Sequence, residues 1–233
     1  MEGVKFSFAR IPALVFHAEA VSLLPEKVRS FGTCCLLVTG AASLRASGRL
    51  DRVMDSLKNQ NITAFAVSVQ GEPSPEFVDG AVREFRNRNI DVVVALGGGS
   101  AIDVAKAAAA LAGEASPTDV FLAGRPICAP GVPVIAAPST AGTGSEATMN
   151  AVLIDASETA KKSIRHESLM PAAAIVDAEL TVSCPPDVTA WAGMDALTQA
   201  VESFISLGAT PITEALSLQG VRLMAGHLEA AVK

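Results

Sequence analysis

The chain has 233 residues, of which 50% are hydrophobic and 18% charged, with a formal net charge of −6. That length and composition give a compact folded chain with a sizeable core and exclude a disordered one. The acidic balance, without any Lys/Arg cluster, offers no footprint for nucleic acid or an anionic membrane, and no run approaches the roughly 18 apolar residues of a membrane span.

Pro12 to His17 is a short apolar strand candidate, and Ala18 to Phe31 has helical spacing at Val21, Leu24, Val28 and Phe31. The N-terminus mixes charged and apolar residues, so no signal peptide is expected. Cys34 to Val38 reads as a second strand, whose adjacent Cys34 and Cys35 face opposite ways. With Cys128 and Cys184 these cysteines show no CxxC spacing; they read as buried thiols of a cytoplasmic protein. An amphipathic helix over Ser47 to Asn59 follows, then a strand over Thr63 to Val69, a Gly/Pro turn and a helix over Glu76 to Asn89.

The stretch around which the chain is organised comes next. An apolar run, Asp91 to Leu96, leads into Gly97-Gly98-Gly99-Ser100 and a helix of Ala, Ile, Val and Lys. Glycines there permit positive φ and close approach of a ligand, and the first N–H groups of the helix with its dipole form an anion site. Ser100 fits the N-cap, with Asp103 three residues on as in a capping box. A turn of this kind also occurs as a plain strand-to-helix connection, and the pattern is not GxGxxG.

A strand over Pro133 to Ala137 runs into Pro138 to Glu146, where hydroxyls and glycines alternate. Such a loop offers many donors on a pliable backbone, which suits a diphosphate or a nicotinamide ribose, although a plain surface loop has the same composition. Strand candidates over Ala151 to Ile154 and Ala173 to Val176 complete an open, largely parallel Rossmann-like sheet with helices on both faces. Two donor-rich loops at the carboxyl ends of parallel strands lie where such sheets bind ligands. Beyond Cys184-Pro185-Pro186 the pattern is helical, over Asp187 to Ser206 and from Pro211 to the end. We therefore expect an α/β dinucleotide-binding domain over 1–182 and the first helices of an all-helical domain over 183–233.

Three motifs in this order, GGGSAIDVAK at 97–106, PSTAGTGSE at 138–146 and AGMDALTQAVES at 192–203, closely resemble the iron-containing (group III) alcohol dehydrogenase family. The resemblance extends to the Gly71-Glu72-Pro73 turn and the segment from Val176 to Leu180. It implies a dinucleotide-binding α/β domain followed by an all-helical domain. It further implies hydride transfer between NAD or NADP and an alcohol or aldehyde, with a divalent metal, iron or zinc, as Lewis acid on the substrate oxygen. Gly97, Gly98, Gly99 and Ser100 match the family's pyrophosphate loop, and Asp103 and Lys106 its following helix. Ser139, Thr140, Thr143 and Ser145 match the second cofactor loop, while Gly71, Lys162 and Leu180 fall at positions that line the cofactor. Asp195 matches the first metal ligand and so is the expected catalytic residue; Gln199, at i+4 on the same helix face and about 6 Å away, is the second candidate.

Two departures stand out. The family pattern has histidine where this chain has Gln199, and a carboxamide is a weak ligand for iron or zinc. Family members also continue further, with two more histidine ligands on later helices, so the chain reads as truncated. Apolar faces left without neighbours, as at Ala200, Val201, Phe204 and Ile205, lead us to expect a homo-oligomer.

At the end of the strand from Cys34 to Val38, Gly40 stands where NAD-using relatives carry aspartate, and Arg45 and Arg49 follow. Without an acid for the adenosine 2′-OH, and with arginines able to meet a 2′-phosphate, the expectation leans to NADP(H). The leading reading is thus a metal-assisted alcohol dehydrogenase. The alternatives are a non-catalytic dinucleotide-binding fragment and a dehydroquinate-synthase-like lyase, against which the DALTQAVES segment argues.

Overall fold

A computed structural model of the chain describes residues 5–40, 43–155 and 160–233. The strands are β1 (Ala13–Phe16), β2 (Cys34–Gly40), β3 (Thr63–Val69), β4 (Val92–Gly97), β5 (Val134–Pro138), β6 (Asn150–Asp155), β7 (Ala160–Arg165) and β8 (Ala173–Val176). Six of them form one parallel sheet in the order β1-β8-β5-β4-β2-β3, and β6 pairs with β7 as a separate antiparallel ladder.

Helices cover both faces of the sheet: α1 (Leu24–Arg29), α2 (Ser43–Ala46), α3 (Arg49–Asn59), α4 (Pro75–Arg86), α5 (Gly99–Leu111) and α6 (Thr118–Leu122). The central strands β2, β4 and β5 are apolar on both sides because both sides are covered. Leu36, Val38, Val93, Ala95, Val134 and Ala136 pack with α4 and α5 in one core layer. Their neighbours Cys35, Leu37, Val92, Val94, Leu96, Ile135 and Ala137 join Leu24, Leu50, Val53 and Leu57 in the other. Cys34 and Cys35 accordingly belong to opposite layers. Burial pushes the Cys35 thiol up to about 12, the neighbouring Cys34 adding to the effect.

Several sequence expectations change; of the four cysteines read as buried, only Cys35 is, and Cys128 is exposed. The helix expected over Ala18 to Phe31 is a 3-10 turn (Ala20–Leu23) followed by α1, with Phe31 beyond its end and 39% exposed. Pro25 in the first turn of α1 fits a helix start at that point and not earlier. The helix expected from Ser47 starts at Arg49, because Gly48, with φ of 68°, takes its N-cap and separates it from α2. The segment holding Lys161 and Lys162 is itself a strand, β7, paired to β6 with Leu153 opposite Lys162.

The chain groups into two compact units. The α/β unit holds 11–139 and 145–183; the other holds the helices α7 (Pro186–Ile205) and α8 (Pro211–Val232) together with Thr140–Gly144. α8 opens with a capping box in which Thr210 and Thr213 each bond the other's backbone, with Pro211 in its first turn. α7 and α8 pack closely: a Cβ on Gly193 would lie 2.2 Å from Leu228 Cδ1. None of the helices described is long and apolar enough to cross a membrane.

Candidate functional site

Strand order dictates where a ligand can sit. From β2 the chain moves outward to β3, then returns across β2 to β4 on its other side, so β2 and β4 diverge in connectivity at their carboxyl ends. This is the switch point of a doubly wound sheet, and there Gly40 and Gly97 meet. A Cβ on Gly97 would lie 2.9 Å from the Gly40 nitrogen and 2.8 Å from Ala101 Cβ, so only glycine lets the two strand ends and the following helix approach this closely.

Helix α5 begins directly beyond. Gly98 occupies the N-cap with extended backbone and no side-chain cap, and Gly99 and Ser100 are the first two helical residues. Ser100 is therefore not the N-cap, and Asp103 does not close a capping box. The glycines do not use positive φ either; among the described glycines that conformation occurs at Gly48, Gly71, Gly124 and Gly144. What the three glycines provide is bare backbone: the first-turn N–H groups at Gly99 and Ser100 have no intrahelical acceptor and lie at the positive end of a 13-residue helix.

The second loop is tied to the first at one end, where the Ser139 N–H donates to the Gly97 carbonyl at 2.9 Å. At its other end Ser145 is buried and engaged with α5. The Lys106 ammonium, fully buried, donates to the Ser145 carbonyl (2.8 Å), Ser145 Oγ (3.1 Å) and Thr148 Oγ1 (2.9 Å). Ser145 Oγ in turn donates to Asp103 Oδ1, and the Val152 N–H donates to Asp103 Oδ2 at 3.1 Å. Burial holds the Asp103 carboxyl above its ordinary range, against the lowering effects of Ser145 and Lys106. Burial also lowers Lys106 to about 8, against the pull of Asp103 and Glu146. Thr148 was missed at the sequence level. The signal was Lys106 itself, a cation in an otherwise Ala-rich helix.

The remaining candidates are spread more widely. Gly71, with φ of 76°, leads the turn before α4; that turn joins the β6–β7 ladder through the Ile154 N–H to Pro73 carbonyl bond (2.8 Å) and the Lys161–Glu72 pair (2.9 Å). Lys162 pairs with Asp155 at 2.9 Å. Leu180 is buried in the core and lines a cavity of about 350 Å3 beside Val53, Arg49, Arg52 and Asp177. Asp177, another residue not singled out from sequence, is buried and accepts the N–H groups of Glu19 (3.0 Å), Val21 (3.1 Å) and Glu179 (2.9 Å). Of the two arginines beyond Gly40, Arg45 is exposed, while Arg49 donates to Ser183 Oγ at 2.9 Å. Ala41 and Ala42 lie outside the described residues. Thr140 and Thr143 belong to the unit that holds α7 and α8.

On α7, Asp195 and Gln199 share a face, and the Gln199 amide N–H donates to Asp195 Oδ2 at 2.7 Å. The amide would have to turn over to present its oxygen to a cation. Among the described residues no three His, Cys, Asp or Glu side chains come together as a metal cage, whereas zinc takes about four ligands. The two donors present do not by themselves fit a metal ion.

A doubly wound α/β unit with an open helix N-terminus at its switch point, followed by paired helices, defines the class as a nucleotide-binding fold joined to a helical unit. Comparison with known proteins makes this specific: residues 12–178 match the model of the iron-containing alcohol dehydrogenase family, and 189–233 that of the Fe-containing alcohol dehydrogenase C-terminal domain. The chain belongs to the iron-containing alcohol dehydrogenase family. A probable alcohol dehydrogenase, EutG, of Salmonella typhimurium is 44% identical over 97% of this chain and 58% of its own length. NAD-dependent methanol dehydrogenase of Bacillus methanolicus is 34% identical over 95% of this chain, again covering 58% of the relative. The crystal structure of sulfoacetaldehyde reductase from Bifidobacterium kashiwanohense in complex with NAD+ superposes with a TM-score of 0.91 at 32% identity, over 99% of this chain and 61% of that one. The chain thus spans somewhat under two thirds of these relatives.

Proposed function

We propose that this chain binds a nicotinamide dinucleotide at the carboxyl ends of β2 and β4 and serves hydride transfer between that cofactor and a small alcohol or aldehyde. The observation that carries the reading is the approach of Gly97 to Gly40 at the switch point, directly before the open first turn of α5. There the backbone N–H groups of Gly99 and Ser100 would hold a diphosphate, with no side chain in the way. Ser139, fixed to Gly97, and Ser145, fixed to Lys106, would anchor the two ends of the second loop. A bound nicotinamide supplies the hydride acceptor or donor; this chain's residues bind and orient it.

The finer reading is acceptance of NADP(H). A Cβ at Gly40 would meet no heavy atom within 4 Å, and exposed Arg45 follows it. Residue 40 thus presents no carboxylate to repel a 2′-phosphate. The named relatives that specify a cofactor use NAD, so both dinucleotides belong in the test. Calorimetric titration of the 233-residue chain with NADPH and NADH is expected to give saturable binding of both, NADPH the tighter. Tighter NADH binding would reject the NADP(H) preference, and no binding by a folded chain would reject the site.

A second reading, dinucleotide binding without alcohol turnover by the 233 residues, is favoured by the two-donor set of Asp195 and Gln199. Turnover of a primary alcohol series with and without added iron or zinc separates the two. The family match itself favours a dehydrogenase over the lyase alternative.

A further inference from the structure

We propose that Lys106 and Asp103 are positioning residues: they clamp the far end of the second cofactor loop, from Ser145 on, to the helix whose first turn forms the first. This rests on the dinucleotide reading above for its effect on affinity, though not for the clamp itself. Helix α5 is buried from Ala101 to Leu111, and every other side chain in that run is apolar except Asp103. An apolar residue at 106 would avoid the cost of burying an ammonium. Instead Lys106 places three hydrogen bonds on the segment Ser145–Thr148. Its distance to Asp103 Oδ1 is 3.8 Å, so the carboxylate supports the ammonium chiefly by charge.

Asp103 divides its two oxygens in the same direction. One accepts from Ser145 Oγ, the other from the Val152 N–H at the start of the β6–β7 ladder. Both oxygens are thus engaged by the protein, which argues for bracing and against direct contact with a ligand. At the near end the Ser139 N–H is bonded to the Gly97 carbonyl. Five residues, Thr140–Gly144, therefore connect two ends that are both fixed to the β4–α5 unit. A short loop with pinned ends loses little entropy when it binds.

The clamp depends on the ammonium being charged. A neutral amine keeps two N–H donors for three acceptors and loses its attraction to Asp103, the facing carboxylate, and to nearby Glu146, the two charged groups that act on it. Since burial lowers Lys106 to about 8, the clamp weakens as pH rises through that value.

Two measurements test this. The first is amide hydrogen exchange without any dinucleotide, comparing the wild type with Lys106→Met, Ser145→Ala and Thr148→Val. Exchange over 145–152 is expected to rise at least tenfold in Lys106→Met and less in the single-acceptor variants, while peptides from β2 and β3 stay unchanged. Unchanged exchange over 145–152 in all three would overturn the clamp. If Lys106→Met loosens the whole chain, the two milder variants decide by the same criterion. The second is NADH affinity between pH 7 and 9.5. We expect a tenfold or greater loss in Lys106→Met at pH 7, recovery in Lys106→Arg, and a fall across pH 8 in the wild type that Lys106→Arg lacks. A wild type that binds no dinucleotide, yet shows the localised exchange change, overturns the dinucleotide reading and leaves the clamp standing. Equal affinity in wild type and Lys106→Met overturns the link from clamp to cofactor.

Discussion

Gly97 and Gly40 sit at one junction, yet their substitutions should act in opposite ways. An alanine at 97 would force its Cβ within 2.8 Å of Ala101 Cβ and 2.9 Å of backbone, which cannot yield as a flexible side chain would. We expect Gly97→Ala to cost about 1–3 kcal/mol in chemical unfolding and to weaken dinucleotide binding at least tenfold. At Gly40 an added side chain meets open space. Gly40→Asp should therefore leave stability within about 0.5 kcal/mol while lowering NADPH affinity tenfold or more relative to NADH, measured by titration with each. Lys106 gives a third prediction at this scale. The unfolded chain holds its lysine proton up to the ordinary 10.5, whereas the native lysine releases it near 8. Between those values the unfolded state binds more protons, so this residue's penalty is full below pH 8 and is relieved as pH rises to 10.5. Cys35, raised to about 12 from 9.0, works in the opposite direction above pH 9. The quantity to follow is thus the stability difference between the wild type and Lys106→Met in denaturant, which should shift in favour of the wild type by up to roughly 3 kcal/mol from pH 7.5 to 10.5.

Among the elements, α5 and α7 differ in how far their chemistry could be seen from local pattern. The glycine turn, the helix and their place after an apolar strand were plain, because strand and helix periodicities are properties of neighbouring residues. The cap was not: with Gly98 at the N-cap, no side chain of α5 bonds its own first turn, and Asp103 turns instead to Ser145 and Val152, more than forty residues away in sequence. Spacing alone could not distinguish a cap from a tertiary brace. On α7 the i, i+4 relation of Asp195 and Gln199 was visible and holds, but the amide engages the carboxylate directly. Replacing Gln199 by histidine substitutes an imidazole, a far better donor to zinc or iron, for a carboxamide. Zinc affinity measured by calorimetry should rise at least tenfold in Gln199→His, and Asp195→Asn in that background should remove the gain.

For the molecule as a whole, the edge of the sheet matters most. β1 is an outer strand: Val15 packs into the core layer that holds Leu24, while Leu14 and Phe16 are 60% and 72% exposed. An apolar outer strand of this kind is a template for association. Light scattering coupled to gel filtration should report an oligomer for the wild type and a smaller species for a Leu14→Lys, Phe16→Lys double variant. An unchanged mass in that variant would place the association elsewhere.

The alternation of strands and helices, the coverage of both sheet faces and the glycine turn before α5 were determined by the sequence itself, since each is written in the spacing of adjacent apolar residues or in a local backbone requirement. Family membership followed from three motifs whose order is likewise a linear property. What only the tertiary structure decided are the pairings between distant segments. These include β1 against β8, with Ala13 beside Ala173, the pairing of β6 with β7, the meeting of Gly97 with Gly40, and the engagement of Lys106 with Ser145 and Thr148. The reason is physical: a buried ammonium or a glycine at a crossing is satisfied by whatever the fold brings to it, and neighbouring residues carry no record of that partner.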